Sequence, residues 1–279
     1  MRKIDVKIIK KALEDLAAKA CCILPDDAHA SLSCALKNET NDNAKFALET
    51  LIKNIEISKS ESLPICQDTG MAIVFIDIGQ EVYLYGGSLK DAINEGIENS
   101  YKSNSFRMSV LDPVTRLNTK TNTPAVIHTR IVPGDKIKID FMPKGFGSEN
   151  MSKLYMLTPA EGMDAAFEKI VEAVKNAGSN PCPPIVVGVG LGGTAEYAME
   201  IAKRALIREI GTVNPDKELA EFEQKLLDKI NSLGIGAQGF GGKTTALAVH
   251  VEKFPTHISS LPVAVNIQCN CVRKSGVIL

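Results

Sequence analysis

The chain has 279 residues, a formal net charge of -1, 44% hydrophobic and 23% charged residues, the proportions of an ordinary globular protein. Near-neutral charge gives no footprint for DNA, RNA or an anionic membrane surface, and no apolar run approaches the ~18 residues that span a bilayer. The N-terminus mixes charged with apolar residues at helical spacing and lacks the unbroken apolar stretch of a signal peptide, so a cytoplasmic location is expected.

Residues 4–37 carry Ile8, Ile9, Leu13, Leu16 and Ala20 at i, i+3/i+4 spacing and read as helical. Pro25 interrupts them, and Asp26 and Asp27 cap a further stretch through Ala30, Leu32 and Cys34. A second helix is expected over 43–58. The β-branched run 71–78 and the segment 81–85 predict two strands around Gly79. Ser88 caps a helix that runs to Tyr101, with Asp91 as the acidic half of a capping box. Strands over 125–132 and 136–141 are joined through Pro133, Gly134 and Asp135. An amphipathic helix over 163–177 ends at Gly178, a buried strand follows over 185–189, helices are expected over 195–209 and 217–233, and a β-like stretch covers 262–267. Interleaved helices and strands indicate an α/β or mixed α+β class. With no repeat and no linker, the chain reads as a single large domain over 1–279.

Seven cysteines without an export signal argue against a disulfide framework. Cys66, Cys182 and Cys269 share a context: each lies at the edge of an apolar strand, in a turn rich in Pro, Gly or amide side chains. Structural zinc would ask for four ligands in paired spacings, and the one close pair here is Cys269 with Cys271. Three thiolates from distant segments suit a cubane cluster in which one iron has no protein ligand. Such an iron is a Lewis acid able to make hydroxide a tolerable leaving group, as loss of water from a 2-hydroxy acid requires. Cys21, Cys22 and Cys34 lie in ordinary amphipathic helix and read as small core hydrophobes.

Asp68, two residues after Cys66, is placed for acid/base work, or equally for an Asx-turn at Thr69-Gly70. Arg107 and Arg116 bracket an unusual polar stretch; a guanidinium fork is the natural partner of a carboxylate, though either could pair with Asp112 instead. His257 stands in a turn before the strand that leads to Cys269, whereas His128 and His250 fall in apolar stretches and read as core histidines. The loop KGFGSEN over 144–150 offers backbone amides, Ser148 and Asn150 to a carboxylate. Gly188 to Gly193 satisfies G-x-G-x-x-G after a strand and before a helix, which raises a dinucleotide-binding oxidoreductase as a rival, although Glu209 has no clear second strand before it. The segment 234–245 imitates a P-loop but fails in register at Ala237. A further rival is an iron–sulfur redox-sensing module.

At PICQDTG, RMSVLDP with RLNT and NTPA, KGFGSENMS, NPCPPIVVGVGLGGT, GFGGKTTALAVHVE and PTHISSLPVAVNIQC, the chain resembles the α subunit of two-subunit class I fumarate hydratases, with the L-tartrate dehydratase α subunit as close kin. The resemblance implies the iron–sulfur fumarase N-terminal fold, a 4Fe-4S cluster on Cys66, Cys182 and Cys269, and a substrate pocket that Gln67, Asp68, Arg107, Gly147 and His257 help to line. It assigns the 188–193 glycines to the scaffold. It also implies a β subunit that completes the active site, an αβ hetero-oligomer, and a dicarboxylate substrate such as fumarate or malate. Two departures stand out: Asn270-Cys271 where the family usually has His-Ala, which makes Cys271 a competitor for ligation, and Lys120-Thr121 in place of Gly-Asp.

Overall fold

The computed structural model describes residues 1–279. In chain order its elements are β1 (Arg2–Asp5), α1 (Val6–Cys22), α2 (Asp26–Asn38), α3 (Asp42–Glu61), β2 (Met71–Gly79), β3 (Val82–Tyr85), α4 (Leu89–Ser103), β4 (Val126–Val132) and β5 (Ile137–Lys144). They continue with α5 (Phe146–Glu149), β6 (Lys153–Leu157), α6 (Gly162–Ala177), β7 (Ile185–Gly192), α7 (Ala195–Ala205), α8 (Lys217–Asn231), β8 (Ala246–Phe254), β9 (Leu261–Gln268) and β10 (Ser275–Ile278). The mixed α/β class is the expected one. No helix is long and apolar enough to cross a membrane.

The chain gathers into two compact units, each built on its own four-stranded mixed sheet. The first comprises Met1–Pro25, Ile55–Phe146 and Arg273–Leu279. Its sheet runs β10-β5-β2-β4, with β2 parallel to β4 and antiparallel to β5. The two strands expected to flank Gly79 both form but do not pair with each other, because β3 lies parallel to β1 instead. The loop 133–136 crosses the end of β2, where Gly79 N–H donates to the Lys136 carbonyl. A Cβ on Gly79 would stand 2.4 Å from the Gly134 carbonyl oxygen, so the crossing needs glycine. The core is made where α1 and α4 press Ile9, Leu13, Ile93, Ile97 and Tyr101 onto Val74, Ile76 and Phe141 of the sheet.

The second unit comprises Asp26–Asn54 and Gly147–Val272. Its sheet runs β6-β9-β7-β8, with β7 parallel to β8 and antiparallel to β9. Every residue of β7 is buried, as expected of a strand covered on both faces. Val187 and Val189 face the cluster that α6 and α8 supply through Ile170, Val174, Leu226 and Ile230. The alternate residues, Gly188 and Gly190, face α7. There a Cβ would stand 2.1 Å from the Ala202 and Ala198 carbonyl oxygens respectively. Helix α7 stops at Ala205 rather than near 209, because Leu206, Ile207 and Arg208 tighten into i→i+3 bonds to Lys203, Arg204 and Ala205. Strands β6, β8 and β10 extend the sheets beyond what periodicity suggested.

The glycines of the G-x-G-x-x-G segment are thus accounted for by helix-on-strand contact. Replacing Gly190 with Ala sets a methyl against helix backbone, which cannot swing aside. The expected cost is about 3 kcal/mol or more, read as a melting temperature lower by roughly 6–12 °C. An unchanged melting temperature would contradict this packing.

Candidate functional site

In the first unit the segment 64–70 is a fixed bend. Ile65 is buried and its N–H donates to the Cys21 carbonyl (2.9 Å), which leaves Cys66 half-buried and Gln67 exposed beyond it. Asp68 accepts from Gly70 N–H at Oδ1 (2.9 Å) and from Phe146 N–H at Oδ2 (2.8 Å), so the Asx-turn is present and the same carboxylate also holds the start of α5. Thr69 is buried; its hydroxyl donates to the Arg107 carbonyl (2.6 Å), and the Tyr101 hydroxyl donates to the Thr69 carbonyl (2.6 Å). Asn122, fully buried at φ +54°, donates from Nδ2 to the Gly70 carbonyl (3.0 Å) and accepts the Ser109 N–H at Oδ1 (2.7 Å). The polar stretch after Arg107 is therefore stitched to the Cys66 bend, and the Arg107 side chain stands exposed at its root. Asp112 takes the Val114 and Thr115 N–H groups, and these bonds hold its carboxyl below the usual range.

Two cations that composition did not single out lie beside this bend. Lys144 is 0% exposed, with Nζ donating to the Gly145 carbonyl (3.3 Å), and Arg273 is 1% exposed. A Cβ on Gly145 would stand 3.2 Å from both Arg273 Nη2 and Asp68 Oδ2, so guanidinium and carboxylate converge on that glycine. Burying charge is costly unless it is paired, and Asp68 supplies opposite charge there. The signal in the sequence was a cation beside apolar residues, Lys144 closing the strand-like stretch IDFMPK and Arg273 following Val272 in CNCVRK.

In the second unit β7 and β9 run antiparallel, with Val186 opposite Gln268. That register brings the residues before β7 and after β9 to the same end of the sheet, and these are Cys182 and Cys269. The Cys182 carbonyl accepts both the backbone N–H (3.2 Å) and the side-chain Nδ2 (2.8 Å) of Asn270. The next carbonyl, Pro183, accepts the backbone N–H (2.8 Å) and Nε2 (2.8 Å) of Gln238. Cys182 is exposed and sits at φ +54°, in the left-handed region. That conformation costs a non-glycine residue about 1–2 kcal/mol. Four hydrogen bonds at about 1 kcal/mol each outweigh it. Gly147 belongs to the same end, since a Cβ there would lie 3.3 Å from the Asn180 carbonyl oxygen. Ser148, by contrast, is buried, and Glu149 is tied to Lys203 (2.5 Å) and Asn266 (3.1 Å), so this part of the KGFGSEN loop is scaffold.

The glycine-rich segment 234–245 packs against protein. A Cβ on Gly239 would meet Ser179 Cβ at 2.5 Å, and one on Gly242 would meet Glu39 Oε2 at 2.6 Å. The buried Glu39 carboxylate already takes the Thr40, Asn41 and Lys243 N–H groups. His250 is a core histidine whose Nδ1 bonds the Ala205 carbonyl (3.1 Å), and His128 stacks on Phe75 at 4.9 Å. His257 is exposed, with Nδ1 against Ser259 Oγ (2.7 Å) and accepting the Ser259 N–H (3.3 Å). It precedes β9 whereas Cys269 follows it, so the eight residues of that strand separate them, about 25 Å at the rise of a β-strand. Within this unit His257 does not join the cysteine end.

The donor set fits an iron–sulfur group. Cys66, Cys182 and Cys269 occupy accessible loop positions, and the Cys182 carbonyl is held by Asn270, the residue that follows Cys269. The other cysteines stand in different surroundings. Burial pushes the Cys21 thiol up to about 11 and raises that of Cys22, which works against the thiolate that ligation needs. Cys271 is buried, its thiol turned to Asn270 Oδ1 (3.6 Å), and Cys34 lies on α2 beside Asn38.

The pattern of the family described as Fumarate hydratase (Fumerase) matches residues 10–278. A Methanocaldococcus jannaschii protein named "Putative L(+)-tartrate dehydratase subunit alpha" is 41% identical over 273 residues, covering 96% of each chain. The L(+)-tartrate dehydratase subunit alpha of Escherichia coli K12 is 29% identical over 260 residues, 92% of this chain and 86% of that one. The corresponding protein of Escherichia coli UTI89 is 30% identical over 255 residues, 90% of this chain and 84% of that one. With the family pattern spanning nearly all of the sequence, the chain belongs to the fumarate hydratase family of hydro-lyases.

Proposed function

We propose that this chain is the α subunit of a cytoplasmic class I hydratase that interconverts fumarate and L-malate, with residues 1–279 acting as one catalytic domain beside a β subunit in an αβ hetero-oligomer. Cys66, Cys182 and Cys269 are the proposed ligands of a 4Fe-4S cluster. The observation that carries this reading is the pairing of Cys182 with Cys269 through Asn270, in a chain whose family removes and adds water. When bound, such a cluster supplies an open iron that acts as a Lewis acid toward a hydroxyl and its neighbouring carboxylate.

The chain's own residues supply the rest. The exposed Arg107 guanidinium, rooted beside the Cys66 bend by the Thr69 bond, binds a carboxylate of the substrate in a two-toothed contact. Gln67 extends from the same bend as a neutral hydrogen-bonding group. Gly147 leaves backbone N–H accessible at the Cys182 end, where a side chain would crowd Asn180. Dehydration breaks a C3–H and a C2–O bond, and the proton and hydroxide leave together as one water. Asp68, oriented by two backbone N–H bonds, is the group we assign to proton movement. His257, exposed in the turn before β9 and one strand away from Cys269, is the second group we assign to proton movement. A second substrate, L(+)-tartrate, is favoured by the names of the relatives. It differs from malate by one hydroxyl, so one arrangement of residues serves either.

Serine at any one of Cys66, Cys182 or Cys269 should abolish the cluster's broad visible absorbance in protein co-expressed with its β partner, while Cys271→Ala keeps it. Full cluster content in a Cys182→Ser protein would remove the ligand assignment. Arg107→Met should lower kcat/KM about 10- to 100-fold, chiefly through KM, the worth of a charge-assisted bond; unchanged KM would remove Arg107 from substrate binding. The chain without its β partner should show negligible turnover, and kcat/KM for malate against tartrate, measured on the assembled enzyme, decides the substrate. Robust hydratase activity of the chain alone would contradict the subunit reading.

A further inference from the structure

The same end of the second sheet carries an arrangement that goes beyond the ligand set. Two successive carbonyls, those of Cys182 and Pro183, are each gripped by two donors, and in each case both donors come from a single residue, its backbone N–H and its side-chain amide. A carbonyl has two acceptor directions in the peptide plane, and filling both stops the peptide from rotating. The two grips come from different parts of the chain. Asn270 immediately follows Cys269, and Gln238 sits in the glycine-rich segment 234–245, itself at φ +53°. Asn270 is in turn held by the Cys271 thiol at Oδ1, which orients its amide so that Nδ2 faces the Cys182 carbonyl. The Cys182 N–H adds a third restraint through the Ser179 carbonyl (3.0 Å). The turn is thus held from both directions while Cys182 remains an exposed residue.

We propose that Asn270 and Gln238 are positioning residues for the Cys182 ligand, with Asn270 also setting the spacing between Cys182 and Cys269. The inference rests on the iron–sulfur reading. A three-thiol cluster is retained by the simultaneous hold of its ligands, so a ligand whose backbone can rotate lets go first. In that arrangement Cys271 is the residue that fixes Asn270, rather than a competing ligand. The glycine-rich segment serves to bring Gln238 to the Cys182 turn, with Gly239 allowing approach to Ser179.

The test uses the full chain co-expressed with its partner, in wild-type form and as Asn270→Asp, Asn270→His and Gln238→Asn. Aspartate keeps the shape of Asn270 but replaces the Nδ2 donor by an acceptor. Histidine restores an N–H donor at about the same reach. Asparagine at 238 tolerates the left-handed backbone but is one methylene too short to grip. Two quantities are read: the rate at which EDTA bleaches the cluster's visible absorbance, and hydrogen exchange of segments 179–184 and 268–272 in the metal-free protein.

Asn270→Asp should bleach about tenfold faster, the ratio that one lost hydrogen bond of ordinary strength gives. Asn270→His should return to within about twofold of wild type, and Gln238→Asn should fall between. Exchange in both segments should rise in Asn270→Asp even with no metal present, while segments elsewhere in the metal-free protein exchange as in wild type. Wild-type bleaching in Asn270→Asp, or faster exchange without faster bleaching, overturns the inference alone. A wild-type protein that takes up no cluster overturns the cluster reading and the inference with it, and the two failures are told apart by the wild-type absorbance.

Discussion

The antiparallel pairing of β7 with β9 is the constraint on which the candidate site depends. Because Val186 lies opposite Gln268, the segment entering β7 and the segment leaving β9 meet at one end of the sheet. The segments that carry two cysteines 87 residues apart in sequence are brought together there by strand pairing alone. The pairing holds only if β7 can be buried on both faces, and its alternation of valine with glycine provides for that. Val187 and Val189 fill the α6 and α8 side, while Gly188 and Gly190 let α7 lie against bare backbone. The feature that looks like a nucleotide fingerprint is therefore what the cysteine pair requires. The same strand geometry carries His257 to the far end of β9.

Charge and burial govern the arrangement around Asp68 in the first unit. Asp68 is locked by two backbone donors and flanked, across Gly145, by the buried Arg273 guanidinium. A carboxylate fixed by N–H donors and placed near buried positive charge is oriented in advance, which is what proton transfer needs. Arg107 differs in kind: its backbone is fixed by Thr69, but its side chain is exposed and able to meet an anion arriving from solvent. In the proposed reaction the first group orients and the second captures.

Much of this was legible in the sequence. The mixed α/β class, most helices and the central strands followed from periodicity, and the Cys66, Cys182 and Cys269 contexts stood apart from the helical cysteines by their Pro, Gly and amide neighbours. Pairing was less legible. Segments 71–78 and 81–85 look like a hairpin, yet β3 pairs with β1, because parallel partners distant in sequence leave no local mark. Lys144 and Arg273 escaped notice because a buried cation looks like any surface cation until its surroundings are known. The place of His257 was illegible for a related reason: closeness in sequence to the strand that leads to Cys269 is separation from Cys269 when that strand is extended. The grip of Asn270 and Gln238 on the Cys182 turn was illegible as well, since carbonyl partners have no side-chain signature.

The central claim, that the three thiols hold a cluster at which a hydroxy dicarboxylate reacts, is tested most directly by electron paramagnetic resonance of the reduced, anaerobically reconstituted enzyme with its β partner, recorded with and without malate and tartrate. The account predicts a cluster signal that shifts when a substrate is added, since a hydroxyl and carboxylate on the open iron change its ligand field. A signal indifferent to both acids would contradict it and leave the cluster as a redox-sensing group.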